Sequence, residues 1–316
     1  MEDQVGLVQS VVSKGVGEVE KIIFGQRECV ISAYVALLSG GHLLLEGVPG
    51  LGKTLLAKSI AQTVDCAFGR VQFTPDLMPL DIIGSSILQE NRFVFHSGPI
   101  FTDLLLADEI NRAPSKTQSA LLEAMQEGTV TADGVTHQLS DYFTVIATQN
   151  PIDQEGTYPL PESEIDRFMM KVVIDFPSEE DELRVMSTHH SRTSALTKDD
   201  IQPVIDRTEL TNLRNLVMDV SISEDVMTYA NSLVRATRQH ISVMHGASPR
   251  AGISLLKACK ASAAIDGRAF ITPDDVKRWS LPVLRHRLVL KPGAELSGTS
   301  SDDVIRNILA TMSVPT

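Results

Sequence analysis

The chain has 316 residues, 43% of them apolar and 22% charged, ordinary proportions for a soluble globular protein and enough length for two domains. Its formal net charge of −12 repels a phosphate backbone, and no Lys/Arg run offers a local groove, so broad nucleic-acid binding is disfavoured. Cys29, Cys66 and Cys259 are far apart, odd in number and without a Cys-x-x-Cys pair, which argues against a zinc site or disulfide framework and fits a reduced, cytoplasmic protein. The start, MEDQVGLVQSVV, lacks a signal-peptide layout, and no apolar run of about 18 residues predicts a membrane span.

Residues 1–38 read as helical, with Val5, Val8, Val12 and Val16, then Ile31, Val35 and Leu38, at helical spacing. Between them Ile23-Phe24-Gly25-Gln26 is either an adenine-contacting segment or an ordinary helix–helix turn. His42–Glu46 is an apolar strand. Gly47-Val48-Pro49-Gly50-Leu51-Gly52-Lys53-Thr54 follows, then a helix with Leu56, Ile60 and Val64 on one face. This is G-x-x-x-x-G-K-[ST] between a strand and a helix, the context in which backbone N–H groups and a helix N-terminus cradle a polyphosphate. Lys53 would reach the β/γ oxygens of ATP and Thr54 would hold Mg²⁺, with Leu55 and the loop residues around the nucleotide.

Arg70–Phe73 reads as a short strand, and Thr74–Gly84, with Pro75 and Pro79, as a loop. Ile87–Leu88 and Phe93–Phe95 flank a polar tip containing Glu90 and Arg92, a plausible hairpin. Leu104–Ala107 is a buried strand ending in Asp108-Glu109. Acids weaken a strand and are costly inside without work or partners. Beside a phosphate loop, Asp108 would hold the Mg²⁺ shell and Glu109 would orient or deprotonate the attacking water. Pro114 opens a helix that stops at Gly128, and Asp133-Gly134 marks a second hairpin. Phe143–Thr148 is a strand ending in Gln149-Asn150, where Asn150 is strand-end punctuation or a contact to the γ-phosphate or lytic water. A polar loop over 152–164 leads to Asp166-Arg167 and the strand Met169–Ile174.

Beyond Phe176-Pro177-Ser178 the pattern is helical throughout, dividing the chain into 1–177 and 178–316. Val226, Tyr229, Ala230, Leu233 and Val234 form a stripe. Ser248-Pro249-Arg250 and Thr272-Pro273-Asp274-Asp275 are capped starts. Leu290–Ser301 reads as a loop before a last helix over about Asp302–Met312. Arg250 in a first helical turn opposes the helix dipole and invites an anionic partner. His189-His190, Trp279 and Met169-Met170 read as structural.

The order of these motifs resembles the AAA+ ATPases. GVPGLGKT, FTPDLMPLDIIG, LLLADEINRAPSKTQSALLEAMQE and TQNPIDQEGTYPLPESEIDRF together resemble the MoxR family, over roughly Phe24 to Arg268. The resemblance implies an α/β fold, with a five-stranded parallel sheet, hairpin insertions and an all-α lid. It implies Asn150 as a first sensor, Arg250 as a second sensor on the lid and Arg167 as a finger donated to the neighbouring subunit. Arg112 is a second candidate finger, and an ion pair with Asp166 is the competing role for Arg167. It further implies a hexameric ring, Mg-dependent ATP hydrolysis to ADP, remodelling of a protein client, and a partner bearing a von Willebrand A-type domain. A nucleic-acid motor or a metal-chelatase ATPase subunit are the alternatives. The acidic tip at Asp133 argues against the first, since a DNA-gripping hairpin should present cations.

Overall fold

The computed structural model describes residues 2–89, 92–151, 157–191 and 200–315, with the backbone alone described at 2–4 and 189–191. Two helices come first, α1 (Glu2–Glu20) and α2 (Arg27–Leu38). The stripe Val5, Val8, Val12 and Val16 of α1 is buried, as its spacing requires. Next come β1 (Leu43–Glu46), α3 (Lys53–Thr63) and β2 (Phe68–Gln72). Gly52, just ahead of α3, has φ 76°, a left-handed conformation that disfavours a side chain. Gly47 is required for a different reason: a Cβ there would lie 2.8 Å from the Ile174 carbonyl oxygen.

The stretch expected as a loop over Thr74–Gly84 contains a short helix, α4 (Pro79–Ile83). Pro79 occupies its first turn and the Asp81 carboxylate accepts the Met78 N–H at 2.8 Å. Five residues are too few to show a period, so only the cap carried the signal. Antiparallel β3 (Gly84–Gln89) and β4 (Arg92–Ser97) form the first hairpin, whose tip at Glu90 and Asn91 lies outside the described residues. Then come β5 (Leu104–Asp108), a 3-10 turn at Ile110–Arg112 and α5 (Ser115–Glu127). Gly128 ends α5 at φ 65°. β6 (Thr129–Ala132) and β7 (Val135–Gln138) turn on Asp133-Gly134, both at positive φ, which is the second hairpin. The Asp133 carboxylate accepts the Ser86 N–H at 3.1 Å and ties the two hairpins together.

β8 (Thr144–Gln149), α6 (Glu162–Ile165) and β9 (Met170–Val173) follow. Of the loop expected over 152–164, residues 152–156 lie outside the described part, and α6 is a single turn opened by Pro161. The strands β2, β5, β8, β1 and β9 pair in that order as one parallel sheet. Side chains alternate across it. Leu43, Leu45, Leu104 and Leu106 join the apolar cluster that contains α1, α2 and α3, while Leu44, Leu105 and Ala107 join the cluster under α5.

The rest is α7 (Glu179–Ser191), α8 (Arg207–Met218), α9 (Glu224–Gln239), β10 (Val243–His245), α10 (Pro249–Ile265), α11 (Pro273–Leu284), a 3-10 turn at Arg285–Arg287, β11 (Val289–Leu290), α12 (Pro292–Leu296) and α13 (Ser301–Thr311). The His189-His190 side chains, at the end of α7, lie outside the described residues. Helices throughout was the expectation, and two details correct it. β10 and β11 pair antiparallel, too short to show alternation and far apart in the chain. The loop expected over Leu290–Ser301 contains α12, begun by Pro292. The Thr272 cap is present, with the Asp275 carboxylate accepting the Thr272 N–H at 2.8 Å. α10 packs on α9, α11 and α1, so one apolar cluster runs from the first helix into the last.

Candidate nucleotide-binding site

The loop Gly47–Thr54 leaves the C-terminal end of β1, the strand between β8 and β9. In parallel sheets ligands bind at this edge. The Lys53 ammonium donates to the Gly47 carbonyl and to the Val48 carbonyl, the latter at 3.0 Å. The lysine thus lies folded onto its own loop. The Thr54 hydroxyl donates to Asp108 Oδ2 at 3.0 Å, and Thr148 Oγ1 donates to Asp108 Oδ1 at 2.7 Å. Arg70 pairs with the same Oδ2, through Nη2 at 2.8 Å and Nε at 3.2 Å. Burial pushes the Asp108 carboxyl upward. Hydrogen bonds from Thr148, Arg70 and Thr54 outweigh it and hold the group below the usual carboxylate range.

Glu109 has φ 56°, a left-handed backbone unusual for a residue with a side chain. Its N–H donates to Thr148 Oγ1 at 2.8 Å, which fixes that conformation. Its carboxylate accepts from Gln72 Nε2 and from Arg112 Nη1, both at 3.0 Å. Arg112, the second candidate finger, is therefore engaged within its own chain. Asn150 is buried, and its carbonyl accepts from Asn111 Nδ2 at 3.2 Å. Lys53, Thr54, Asp108, Glu109 and Asn150 line one cavity of about 430 Å³.

A second cavity of similar size adjoins it and shares Pro49–Gly52 and Leu55. Its walls are apolar, from Ile22, Ile23 and Phe24 on one side and Phe176, Val185 and Met186 on the other. Gln26 Nε2 donates to the Leu51 carbonyl at 2.8 Å and couples this wall to the phosphate loop. Gly25 has φ 72°, and a Cβ there would come within 2.6 Å of the Asp181 carboxylate. Arg184 lies over the Phe24 ring, 4.8 Å from its centroid. An apolar slot beside a polar phosphate cradle has the shape of a nucleotide site.

Two sequence-chosen residues lie elsewhere. Arg167 and Arg250 line a smaller cleft of about 210 Å³ with Gly41, His42, Gln126 and Lys257. That cleft sits just before β1 and β9, at the N-terminal edge of the sheet. Arg250 lines this cleft and not the phosphate cavity of its own chain. Nor does Asp166 pair with Arg167. Its carboxylate accepts from Arg287 Nε at 2.5 Å and from Ser248 Oγ at 3.2 Å.

Sequence reasoning missed Arg70, Gln72, Thr148 and Met186. Arg70 and Gln72 did carry a signal. They are two apart in a strand, hence on one side of it, and β2 pairs with the strand that ends in the two acids. Thr148 and Met186 carried none.

Thr54 and Asp108 converge to 3.0 Å with the carboxylate held ionised, hard oxygen ligands that fit Mg²⁺. Fold and site together define a P-loop nucleotide-binding protein with a helical lid. Residues 42–170 match the ATPase family associated with various cellular activities (AAA), and residues 235–308 match the AAA lid domain. The chain is 40% identical to Chaperone MoxR1 of Mycobacterium tuberculosis, over 96% of this chain and 82% of that one. It is 42% identical to YeaC of Bacillus subtilis, a protein of uncharacterized function, over 96% and 95%. A crystal structure from Cytophaga hutchinsonii superposes with a TM-score of 0.92 at 39% identity, covering 100% of this chain and 98% of the other. The chain belongs to the MoxR family of AAA+ ATPases. Among the described residues no helix is long and apolar enough to cross a membrane.

Proposed function

We propose that the chain is a cytoplasmic, ring-forming, Mg-dependent ATPase that turns ATP hydrolysis into remodelling of a protein client. The observation that carries this reading is the separation of the two polar sites. The phosphate cavity lies at the C-terminal edge of the sheet and the Arg167–Arg250 cleft at the N-terminal edge. β1 alone, four residues long, keeps them about 13 Å apart at about 3.3 Å per residue. Neither cleft arginine forms a side-chain hydrogen bond or ion pair with a described residue. Cations without a carboxylate partner among the described residues at one edge, and a phosphate cavity that neither of them lines at the other, fit a head-to-tail contact that closes by rotation. Arg167, and with it Arg250, then serve the nucleotide of the neighbouring subunit.

In this reading Lys53 leaves the Gly47 and Val48 carbonyls for the β/γ oxygens, and the adenine enters the slot between Phe24 and Met186. Thr54 and Asp108 hold Mg²⁺, which when bound neutralises charge on the phosphoryl oxygens. Glu109 releases Arg112 and Gln72 to orient and deprotonate the attacking water, with Asn150 beside it. Residues 1–177 act as the ATPase core and 178–316 as the lid, moving about Phe176–Ser178. Phe176 and Pro177 line the slot, so nucleotide contacts the hinge directly. The first hairpin exposes Leu88 and Phe93, an apolar surface suited to a client. The chaperone name of the Mycobacterium tuberculosis relative supports this reading. A partner bearing a von Willebrand A-type domain is part of it. The net charge and the acidic tip at Asp133 weigh against a DNA motor.

The test is complementation. Lys53→Ala and Arg167→Ala chains are each expected to be inactive alone, and a co-assembled mixture to regain ATPase activity at mixed interfaces. Absence of recovery in mixtures shown by native mass spectrometry to co-assemble would sink the shared-site reading.

A further inference from the structure

Arg287, in the 3-10 turn after α11, has a side chain only 2% exposed. Its partners among the described residues lie in two groups. Nε donates to Asp166 Oδ1 at 2.5 Å, while Nη2 donates to the carbonyls of Asp166 at 3.1 Å and Phe168 at 2.7 Å. Nη1 donates to the Met169 carbonyl at 3.0 Å. The remaining bonds, to the Val283 carbonyl and Ser254 Oγ, anchor the guanidinium in α11 and α10. Next to it, His286 Nε2 meets the Phe168 carbonyl at 3.1 Å. The backbone on both sides of Arg167 is therefore fastened to the helical region by one buried cation.

Asp166 is the carboxylate adjacent to Arg167 in the chain. One of its oxygens is taken by Arg287 and the other by Ser248, two residues before Arg250. Each oxygen thus faces a donor from the helical region, and Arg167 has no carboxylate partner among the described residues. A buried ion pair is a weak source of net stability, so its value here lies in what it specifies.

We propose that Arg287 is a positioning residue for Arg167. It clamps the Asp166–Met169 turn onto the helical region and sequesters the Asp166 carboxylate, so that Arg167 stays unpaired and faces the inter-subunit cleft. The same clamp makes the placement of Arg167 depend on the position of α10 and α11. This inference rests on the proposed role of Arg167 in trans.

The experiment is steady-state ATPase kinetics on the assembled full-length chain, with a fluorescent ADP analogue to titrate each variant's own nucleotide site. Arg287→Gln frees Asp166 to capture Arg167 and should lower kcat by about tenfold or more, with the affinity for the analogue changed by less than about twofold. The double variant Asp166→Asn, Arg287→Gln removes the captor as well and should recover most of the loss. A purely structural staple would show no such rescue. A double variant as slow as the single one overturns the proposal, as does wild-type kcat in Arg287→Gln. Should Arg287→Gln fail to fold, Arg287→Lys retains the charge near Asp166 but not the fork. It should lower kcat without altering analogue affinity, and unchanged kcat overturns the proposal. Arg167→Ala is the control that separates the two ideas. If it turns over normally, the role of Arg167 itself is wrong. If it is inactive while the Arg287 variants are normal, only the positioning role is.

Discussion

The two edges of the sheet carry opposite electrostatic arrangements. At the C-terminal edge the charged side chains of the phosphate cavity are engaged within the chain: Lys53 with loop carbonyls, Asp108 with Thr54, Thr148 and Arg70, Glu109 with Gln72 and Arg112. At the N-terminal edge Arg167, Arg250 and Lys257 line one cleft without carboxylate partners among the described residues. A self-satisfied site holds its geometry in the absence of ligand, but must exchange internal bonds for ligand bonds. An unsatisfied cluster of cations is poised for an anion brought from outside. The first arrangement suits a pocket that loads nucleotide, the second a surface that acts on someone else's.

The largest expected effect breaks the second edge alone. Arg167→Ala should lower kcat of the assembled protein by about 10³ or more, the range for a finger supplied in trans. Nucleotide affinity of the isolated subunit should barely change. Equal losses in both measurements would place Arg167 in its own chain's site and erase the distinction. Breaking the first edge should do the reverse. Lys53→Ala removes charge-assisted bonds to phosphate, each worth roughly 1.5–3 kcal/mol, so a fluorescent-nucleotide titration should show affinity about ten- to a hundredfold weaker. Unchanged affinity would mean that the lysine stays on the Gly47 and Val48 carbonyls when nucleotide is bound.

The third effect leaves ATP turnover aside and concerns the floor of the N-terminal edge. The Val145 N–H donates to His42 Nδ1 at 3.0 Å, so Nε2 carries the proton and donates to the Met125 carbonyl at 3.1 Å. Burial pushes this imidazole down to about 4, opposed by the Met125 bond and assisted by the charge of Arg214. The unfolded chain, with an ordinary histidine near pH 6.5, takes up the proton first. Stability should therefore fall as pH drops from about 6.5 to about 4, by up to about 3 kcal/mol from this residue. His286, also buried and held low, adds in the same direction. Denaturant melts across this window should show the decline, and His42→Gln should flatten part of it. A wild-type protein equally stable at both ends would contradict the assignment.

Much of the fold was legible because its signals are local. A glycine-rich turn between an apolar strand and an amphipathic helix, Asp-Gly between β-favouring residues, and proline after a capping residue each occupy a few consecutive positions. They located β1, α3, the second hairpin, α10 and α11. What failed was either too short to show a period, as in α4 and α12, or paired across a long stretch of chain, as in β10 with β11.

The site divides along the same line. The sequence by itself marked Gly47–Thr54 as a candidate polyphosphate loop and Asp108 and Glu109 as its acidic partners, because strand–loop–helix spacing and an acid-ended strand are local signals. It also marked Asn150, Arg167 and Arg250. Only the tertiary structure decided which of these meet. Parallel pairing puts Asp108, Glu109 and Asn150 at the C-terminal edge with the loop, and leaves Arg167 at the other end of the strands. Packing of α10 and α11 then brings Arg250 to Arg167 and gives Asp166 to Arg287. Which partner a charge finds is a competition among groups distant in sequence, and local spacing does not encode its outcome.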